Sequence, residues 1–93
     1  MSEETLWVKQ VEEGQMVGLT PTAQDDLGSI TFAMLPKVGK EIKQGDPVVE
    51  LEAEKAVVEY DSPVSGVVVS INEAAEKNPK LLDEKDAWLY SVK

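Results

Sequence analysis

Lys55 is the residue whose position most directly suggests chemistry. It lies within Glu54-Lys55-Ala56, between two segments in which apolar and acidic residues alternate. The apolar positions are Val49, Leu51 and Ala53 before the lysine and Val58 and Tyr60 after it, and the acidic positions are Glu50, Glu52, Glu59 and Asp61. Alternation with a period of two predicts two strands, which would form a β-hairpin with Lys55 at or beside its tip.

An amine on a rigid hairpin tip is accessible to a modifying enzyme and can carry a covalently attached group between active sites. The alternative is that Lys55 is an ordinary lysine on a solvated turn, and the local pattern leaves both interpretations open. The tip contains no Asn-Gly or Asp-Gly pair, so its turn type is not predicted.

Composition excludes several other kinds of chemistry. The 93 residues contain no cysteine and no histidine, which removes thiolate nucleophiles, cysteine–histidine zinc sites and the commonest general base. We therefore expect neither an enzyme nor a metal site. With 18 acidic and 9 basic residues the net charge is −9, and such a surface repels nucleic acid. The charge favours solubility or attraction to basic patches on partner proteins.

The elements around the hairpin predict a small, mainly β protein. Leu6–Val11 is predicted as a strand, Gly14-Gln15 as a turn, and residues 16–19 as a second strand. Ile30, Phe32 and Met34 alternate with smaller residues and predict a strand with one bulky apolar face. Residues 87–92 predict a closing strand.

Two short helices complete this prediction. Thr20-Pro21 is a helix-start signal for residues 22–27, and Gly28 would end that helix. Asn72 is predicted to cap a second helix at Glu73–Lys77, which Asn78-Pro79 would end. The predicted fold is a flattened β-sandwich or barrel with two short helices, forming one domain over residues 1–93.

Features that direct a protein to or across a membrane are not expected here. No apolar run approaches membrane-spanning length. Residues 1–4 are polar and acidic, unlike a secretory signal or a mitochondrial transit peptide. If the chain is complete, we expect it to work in the compartment where it is made, a cytoplasm.

Residues 52–56 and 62–66 together resemble the attachment hairpin of the biotinyl/lipoyl domain superfamily. Biotin carriers have methionine on both sides of the lysine, whereas Glu54 and Ala56 stand here, so a biotin carrier is disfavoured. The rest of the chain resembles the glycine-cleavage H-protein family more than the lipoyl domains of 2-oxoacid dehydrogenases. The segments that carry this resemblance are 17–28, 35–39, 72–74, 78–82 and Trp88-Leu89.

The resemblance implies a barrel-sandwich hybrid of the lipoyl-domain type and a non-catalytic carrier with lipoate in amide linkage to Lys55. It implies lipoate ligase or octanoyltransferase as the modifying enzyme, with Glu52, Glu54 and Ala56 as candidates for recognition of the tip. It further implies that the arm shuttles an aminomethyl intermediate between a pyridoxal-phosphate glycine decarboxylase and an aminomethyltransferase, and is reoxidised by dihydrolipoamide dehydrogenase.

Two alternatives to glycine cleavage remain at this point. Typical H proteins have additional residues before Leu6 and a helix after the position of Lys93. Short H-like paralogues also exist, and they resemble this chain near Gln24-Asp25-Asp26 and Leu51-Glu52-Ala53. Such a paralogue would act in lipoyl relay or in a redox- or ADP-ribosylation-linked pathway, and we expect weaker glycine-cleavage activity from a shorter docking surface. The other alternative is an unmodified acidic docking module, for which a lysine at this spacing would have no purpose.

Overall fold

The computed structural model describes residues 5–12 and 14–93, so the predicted acidic start at residues 1–4 lies outside the described residues. The strands are β1 (Leu6–Val11), β2 (Gly14–Leu19), β3 (Ile30–Met34), β4 (Glu41–Ile42), β5 (Pro47–Ala53), β6 (Val57–Asp61), β7 (Gly66–Ile71) and β8 (Trp88–Val92). The helices are α1 (Pro21–Leu27), α2 (Glu73–Lys77) and a short 3-10 helix at Pro79–Asp83.

Within these residues the strands form two antiparallel sheets. One sheet has the order β1-β2-β8-β7-β4, and the other has the order β3-β5-β6. The sheets pack face to face and do not close into a barrel. The predicted mainly β sandwich with two short α-helices is therefore confirmed.

The core lies between the two sheets and is built from small aliphatic side chains and one tyrosine. Leu51 of β5 and Leu89 of β8 are fully buried, as is the ring of Tyr90. The Tyr90 hydroxyl donates a hydrogen bond to Ser62 Oγ (2.8 Å), and Ser62 Oγ donates in turn to the carbonyl oxygen of Val64 (2.7 Å). This chain of bonds satisfies the polar atoms that burial of a tyrosine brings into the core.

The predicted turn at Gly14-Gln15 is wrong. Both residues belong to β2, where Gly14 pairs with Val11 and Gln15 pairs with Gln10. The glycine is explained by close packing, because a Cβ atom at this position would overlap the carbonyl oxygen of Val92, and φ is +146°. Gly14 thus allows the chain to pass closely over the end of β8.

The first helix agrees with its sequence signals. Thr20 Oγ1 accepts a hydrogen bond from the backbone N–H of Ala23 (3.2 Å), as expected of an N-cap. The helix starts at Pro21, one residue earlier than predicted, and Gly28 caps its end with an N–H bond to the carbonyl of Gln24.

The second helix has the predicted bounds, but the predicted capping role of Asn72 is wrong. The Asn72 side chain makes no capping bond and donates instead to the carbonyl of Trp88 (3.0 Å). The 3-10 helix after Asn78 was not predicted.

The predicted apolar face of β3 is also wrong. Ile30 and Ala33 are buried, whereas Phe32 and Met34 are 39% and 52% exposed. Ile30 pairs with Ala53 but Phe32 pairs with Glu52, so β3 advances two residues while β5 advances one. This irregularity changes the phase of the alternation and turns Phe32 and Met34 away from the core.

Of the helices within residues 5–12 and 14–93, none has the length and hydrophobicity that a membrane span requires.

Candidate functional site

The structure confirms a β-hairpin with Lys55 at its tip. Strands β5 and β6 pair antiparallel, and the last pair before the tip is Glu52 with Val57. The tip is closed by a bond from the N–H of Ala53 to the carbonyl of Ala56 (2.9 Å). The side chain of Lys55 is exposed to solvent.

The tip is hydrogen-bonded to the connection between α1 and β3. The backbone N–H of Glu54 donates to the carbonyl of Ser29 (2.9 Å), and the N–H of Lys55 donates to the carbonyl of Leu27 (3.0 Å). Two bonds to one short segment fix the position and direction of the Lys55 backbone. The side chain of Lys55 therefore extends from a backbone that is fixed by hydrogen bonds.

Gly28 lies between those two carbonyls, directly against the tip. Its backbone has φ +74° and ψ −150°, a conformation that is essentially restricted to glycine. A Cβ atom there would lie 2.9 Å from Glu54 Oε1 and 3.4 Å from Lys55 Cγ. The sequence predicted only that Gly28 ends α1, whereas in the structure Gly28 also lies against Glu54 and Lys55 of the hairpin tip.

The α1–β3 connection is itself held by the 3-10 helix and the residue after it. The Asp83 carboxylate accepts bonds from the N–H of Ile30 (3.0 Å) and from Ser29 Oγ (3.1 Å). Gln24 Nε2 donates to the carbonyls of Leu82 and Glu84, each at 2.7 Å. Sequence reasoning missed both supporting residues, because nothing in the local pattern of Gln24 or Asp83 indicates a partner more than fifty positions away.

The amine of Lys55 makes a weak and reversible contact. Lys55 Nζ donates to the carbonyl oxygen of Asp25 (3.1 Å), which lies in the last turn of α1. An exposed hydrogen bond of this kind contributes only about 0.5–1.5 kcal/mol, so the amine can leave its partner readily. Chemically, the site offers an accessible primary amine that can form an amide.

The three residues predicted to help recognition of the tip lie in different places. Glu54 is exposed and lies against Gly28, next to the lysine. Glu52 is exposed on the outer face of the sheet, between Phe32 and Val57. Ala56 is half-buried and packs against the core, so its side chain is less available to a partner than the two carboxylates.

One acidic group of α1 acts electrostatically on the hairpin. Burial raises the pKa of Tyr60 on β6, and the negative charge of Asp26 raises it further. Asp26 therefore lies within electrostatic range of the hairpin. Among residues 5–12 and 14–93, no three carboxylates cluster closely enough to hold a metal ion.

Comparison with known proteins gives consistent similarities along the whole chain. The family model described as glycine cleavage H-protein matches residues 1–93. A probable glycine cleavage system H protein of Thermococcus gammatolerans is 43% identical over 90 residues, covering 94% of this chain and 67% of the relative. The glycine cleavage system H protein of Coprothermobacter proteolyticus is 44% identical over 95 residues, covering 98% and 75%. The crystal structure of a glycine cleavage system H protein from Mycobacterium marinum superposes with a TM-score of 0.83 at 34% identity, covering 96% of this chain and 77% of that one.

Proposed function

The chain belongs to the glycine cleavage H-protein family, and from this membership we propose that it is a lipoyl carrier whose lipoyl group is attached to Lys55. The observation that carries the proposal is the held hairpin tip: an exposed amine on a backbone fixed by the carbonyls of Leu27 and Ser29. The proposed carrier is one domain over residues 1–93 and is not itself an enzyme. A cytoplasmic location, expected from the sequence, is part of the same proposal.

Attachment requires a reaction at Lys55 Nζ with an activated acyl donor. In the proposed step the unprotonated amine leaves the carbonyl of Asp25 and attacks the carbonyl carbon of a lipoyl adenylate held by a lipoate ligase. A C–N bond forms, the bond from the acyl carbon to the phosphate oxygen breaks, and AMP leaves with that electron pair. One amine proton is released, so no oxidant or reductant is needed.

The residues around the tip fit this role. Gly28 leaves room for Glu54 and for the aliphatic stem of Lys55, so the lysine can extend away from the body. The backbone bonds of Glu54 and Lys55 keep the attachment point in place while the side chain moves. The attached lipoyl group would supply a disulfide that accepts and carries the one-carbon fragment of glycine.

The proposed partners are the pyridoxal-phosphate glycine decarboxylase, the aminomethyltransferase and dihydrolipoamide dehydrogenase. Tethering keeps the carried group at a high effective concentration near each active site that the carrier visits. The chemistry belongs to the cofactor and to these enzymes, while the chain supplies attachment and presentation.

The proposal is tested by mass spectrometry of the intact chain after incubation with lipoate ligase, lipoate and ATP. We expect one lipoyl group per wild-type chain and none on Lys55→Arg, because a guanidinium does not form this amide. Lys85→Arg, which changes another exposed lysine, should be modified like the wild type. Modification of Lys55→Arg, or a lipoyl group located on a different lysine, would contradict the assignment.

The pathway is tested by reconstitution with the purified partners. The lipoylated chain should support glycine decarboxylation and formation of methylene-tetrahydrofolate. Normal lipoylation without either activity would contradict the glycine-cleavage role and would favour a carrier that relays lipoyl groups.

A further inference from the structure

The outer face of the β3-β5-β6 sheet combines exposed apolar and acidic side chains. Strand pairing arranges them in two rows, in which a glutamate of β5 lies between a β3 residue and a β6 residue. We call this surface the outer face; its members are Phe32, Glu52 and Val57 in the row beside the tip and Met34, Glu50 and Glu59 in the next row.

The apolar members of the outer face are strongly exposed. Phe32, Met34 and Val57 have exposures of 39%, 52% and 69%, on a sheet whose opposite side supplies core residues such as Leu51. The irregularity between Ile30 and Phe32 is what turns the two β3 side chains outward. Exposed apolar side chains that lie near one another favour a surface that a partner covers, and here glutamates of β5 stand between them.

The charge of the same strands defines the chemistry of that partner. The outer face carries three glutamates, and its strands contain no lysine or arginine. Lys37 and Lys40 line the same cavity as the row of Met34, Glu50 and Glu59, so the row beside the tip is the one without a nearby basic group of these two. A complementary surface would present apolar side chains to Phe32 and Val57 and basic side chains to the glutamates, with one basic group opposite Glu52 between the two apolar contacts.

The distance from Lys55 Nζ favours the acylating enzyme, among the enzymes that the carrier meets, as the partner of this face. An enzyme that acylates Lys55 must bring its acyl donor to Nζ itself, within one side chain's length of the tip. An enzyme visited later by the longer lipoyl-lysine arm can stay further from the tip. Because a specific interface buries about 800 Å² per partner, the acylating enzyme must extend beyond the tip onto an adjoining surface. The row of Phe32, Glu52 and Val57 adjoins the tip directly, since Glu52 and Val57 are its last strand pair.

We propose that the outer face is the docking surface for the enzyme that attaches the lipoyl group, through apolar contacts on Phe32 and Val57 and basic side chains of that enzyme opposite the glutamates. This inference rests on the proposed lipoylation of Lys55 and names the surface that makes it selective. The apolar pair supplies most of the binding, and the glutamates accelerate the encounter and align the two proteins.

The apolar contact is tested with two matched double variants. Phe32→Thr/Val57→Thr removes the apolar pair while keeping residues suited to strands. Val8→Thr/Val67→Thr is the control, because Val8 and Val67 lie on the five-stranded sheet and are 42% and 41% exposed. Lipoate ligase is assayed with lipoate, ATP and increasing concentrations of each carrier, corrected for its folded fraction. We expect KM for the carrier to rise about tenfold or more in the first variant, with kcat unchanged, and to change less than about twofold in the control.

The charge contribution is tested with a second pair of variants of equal net charge. Glu50→Lys/Glu59→Lys reverses the charge of the outer face, whereas Glu41→Lys/Glu73→Lys reverses two exposed acids elsewhere. In the outer-face variant we expect kcat/KM to fall and to lose most of its dependence on salt, since screening then has little attraction to weaken. The control should keep most of the wild-type salt dependence.

The outcomes separate this inference from the proposed function. If the wild-type chain is not lipoylated on Lys55, the proposed function fails. If it is lipoylated and the outer-face variants behave like their controls, only the docking inference is overturned. A wild-type dimer in light scattering that Phe32→Thr/Val57→Thr converts to a monomer, with lipoylation unchanged, would assign the face to a second copy of the chain and also overturn the inference.

Discussion

Replacement of Gly28 by alanine tests whether the α1–β3 connection positions Lys55. The glycine has φ +74° and ψ −150°, where an alanine costs about 1–3 kcal/mol of backbone strain. Its Cβ atom would also press on Glu54 Oε1 at 2.9 Å. The segment can relieve this strain by rotating, which moves the carbonyls of Leu27 and Ser29 away from the tip.

We expect two measurable results from Gly28→Ala. The free energy of unfolding should fall by about 1–3 kcal/mol, and each kcal/mol should lower Tm by about 4–8 °C in a domain of this size. The loss of one tip bond, about 1 kcal/mol, lowers the equilibrium constant between the anchored and the detached tip roughly fivefold. Lipoylation of Lys55, measured as kcat/KM per folded chain, should therefore fall, by at most about fivefold for each tip bond that is lost.

Gly45→Ala is the matched control for backbone strain. Gly45 has φ +96°, and a Cβ atom there would have no neighbour within 4 Å. It precedes β5 at the end opposite the tip. We expect denaturant titrations to show a comparable loss of stability with unchanged lipoylation. Equal lipoylation of the two variants, at similar destabilisation, would refute the positioning role of Gly28.

Three further predictions concern the tip and the buried hydroxyl pair. Exchange of Glu54 and Lys55 should abolish lipoylation, because the amine would then project from a different backbone position; a normal rate in the mass assay would contradict this. Ser62→Ala should lower the free energy of unfolding in urea by about 1–3 kcal/mol, because the Tyr90 hydroxyl and the N–H of Val64 lose their buried partner. Tyr90→Phe should lower it less, because Ser62 keeps its bonds to Val64. The reverse order would be inconsistent with this network. Burial raises the pKa of Tyr90, and its bond to Ser62 opposes this effect. Above about pH 10 the unfolded chain therefore loses its phenol proton before the folded chain does, so stability should fall as pH rises. Tyr90→Phe should flatten this fall in unfolding titrations from about pH 8 to about pH 11, and an unchanged slope would argue against the role of Tyr90.

Local signals in the sequence were sufficient for the hairpin and for the first helix. Alternation of apolar and acidic residues on both sides of Lys55 predicts two paired strands, because side chains of a strand point alternately to opposite faces. Thr20 and Gly28 bound α1 because a cap acts on residues within one helical turn. The place of Lys55 at the tip follows from these short-range patterns alone.

Only the tertiary structure decided how the tip is held and which face of β3 is exposed. The irregularity between Ile30 and Phe32 depends on pairing with β5, about twenty residues later, and it places Phe32 and Met34 on the face opposite to Ile30, whereas the alternation predicts one shared face. The support of the tip by Gly28, and of its connection by Asp83, likewise joins segments far apart in the chain. Period and capping residues describe neighbours in sequence, whereas these contacts exist only once the sheets and helices have packed together.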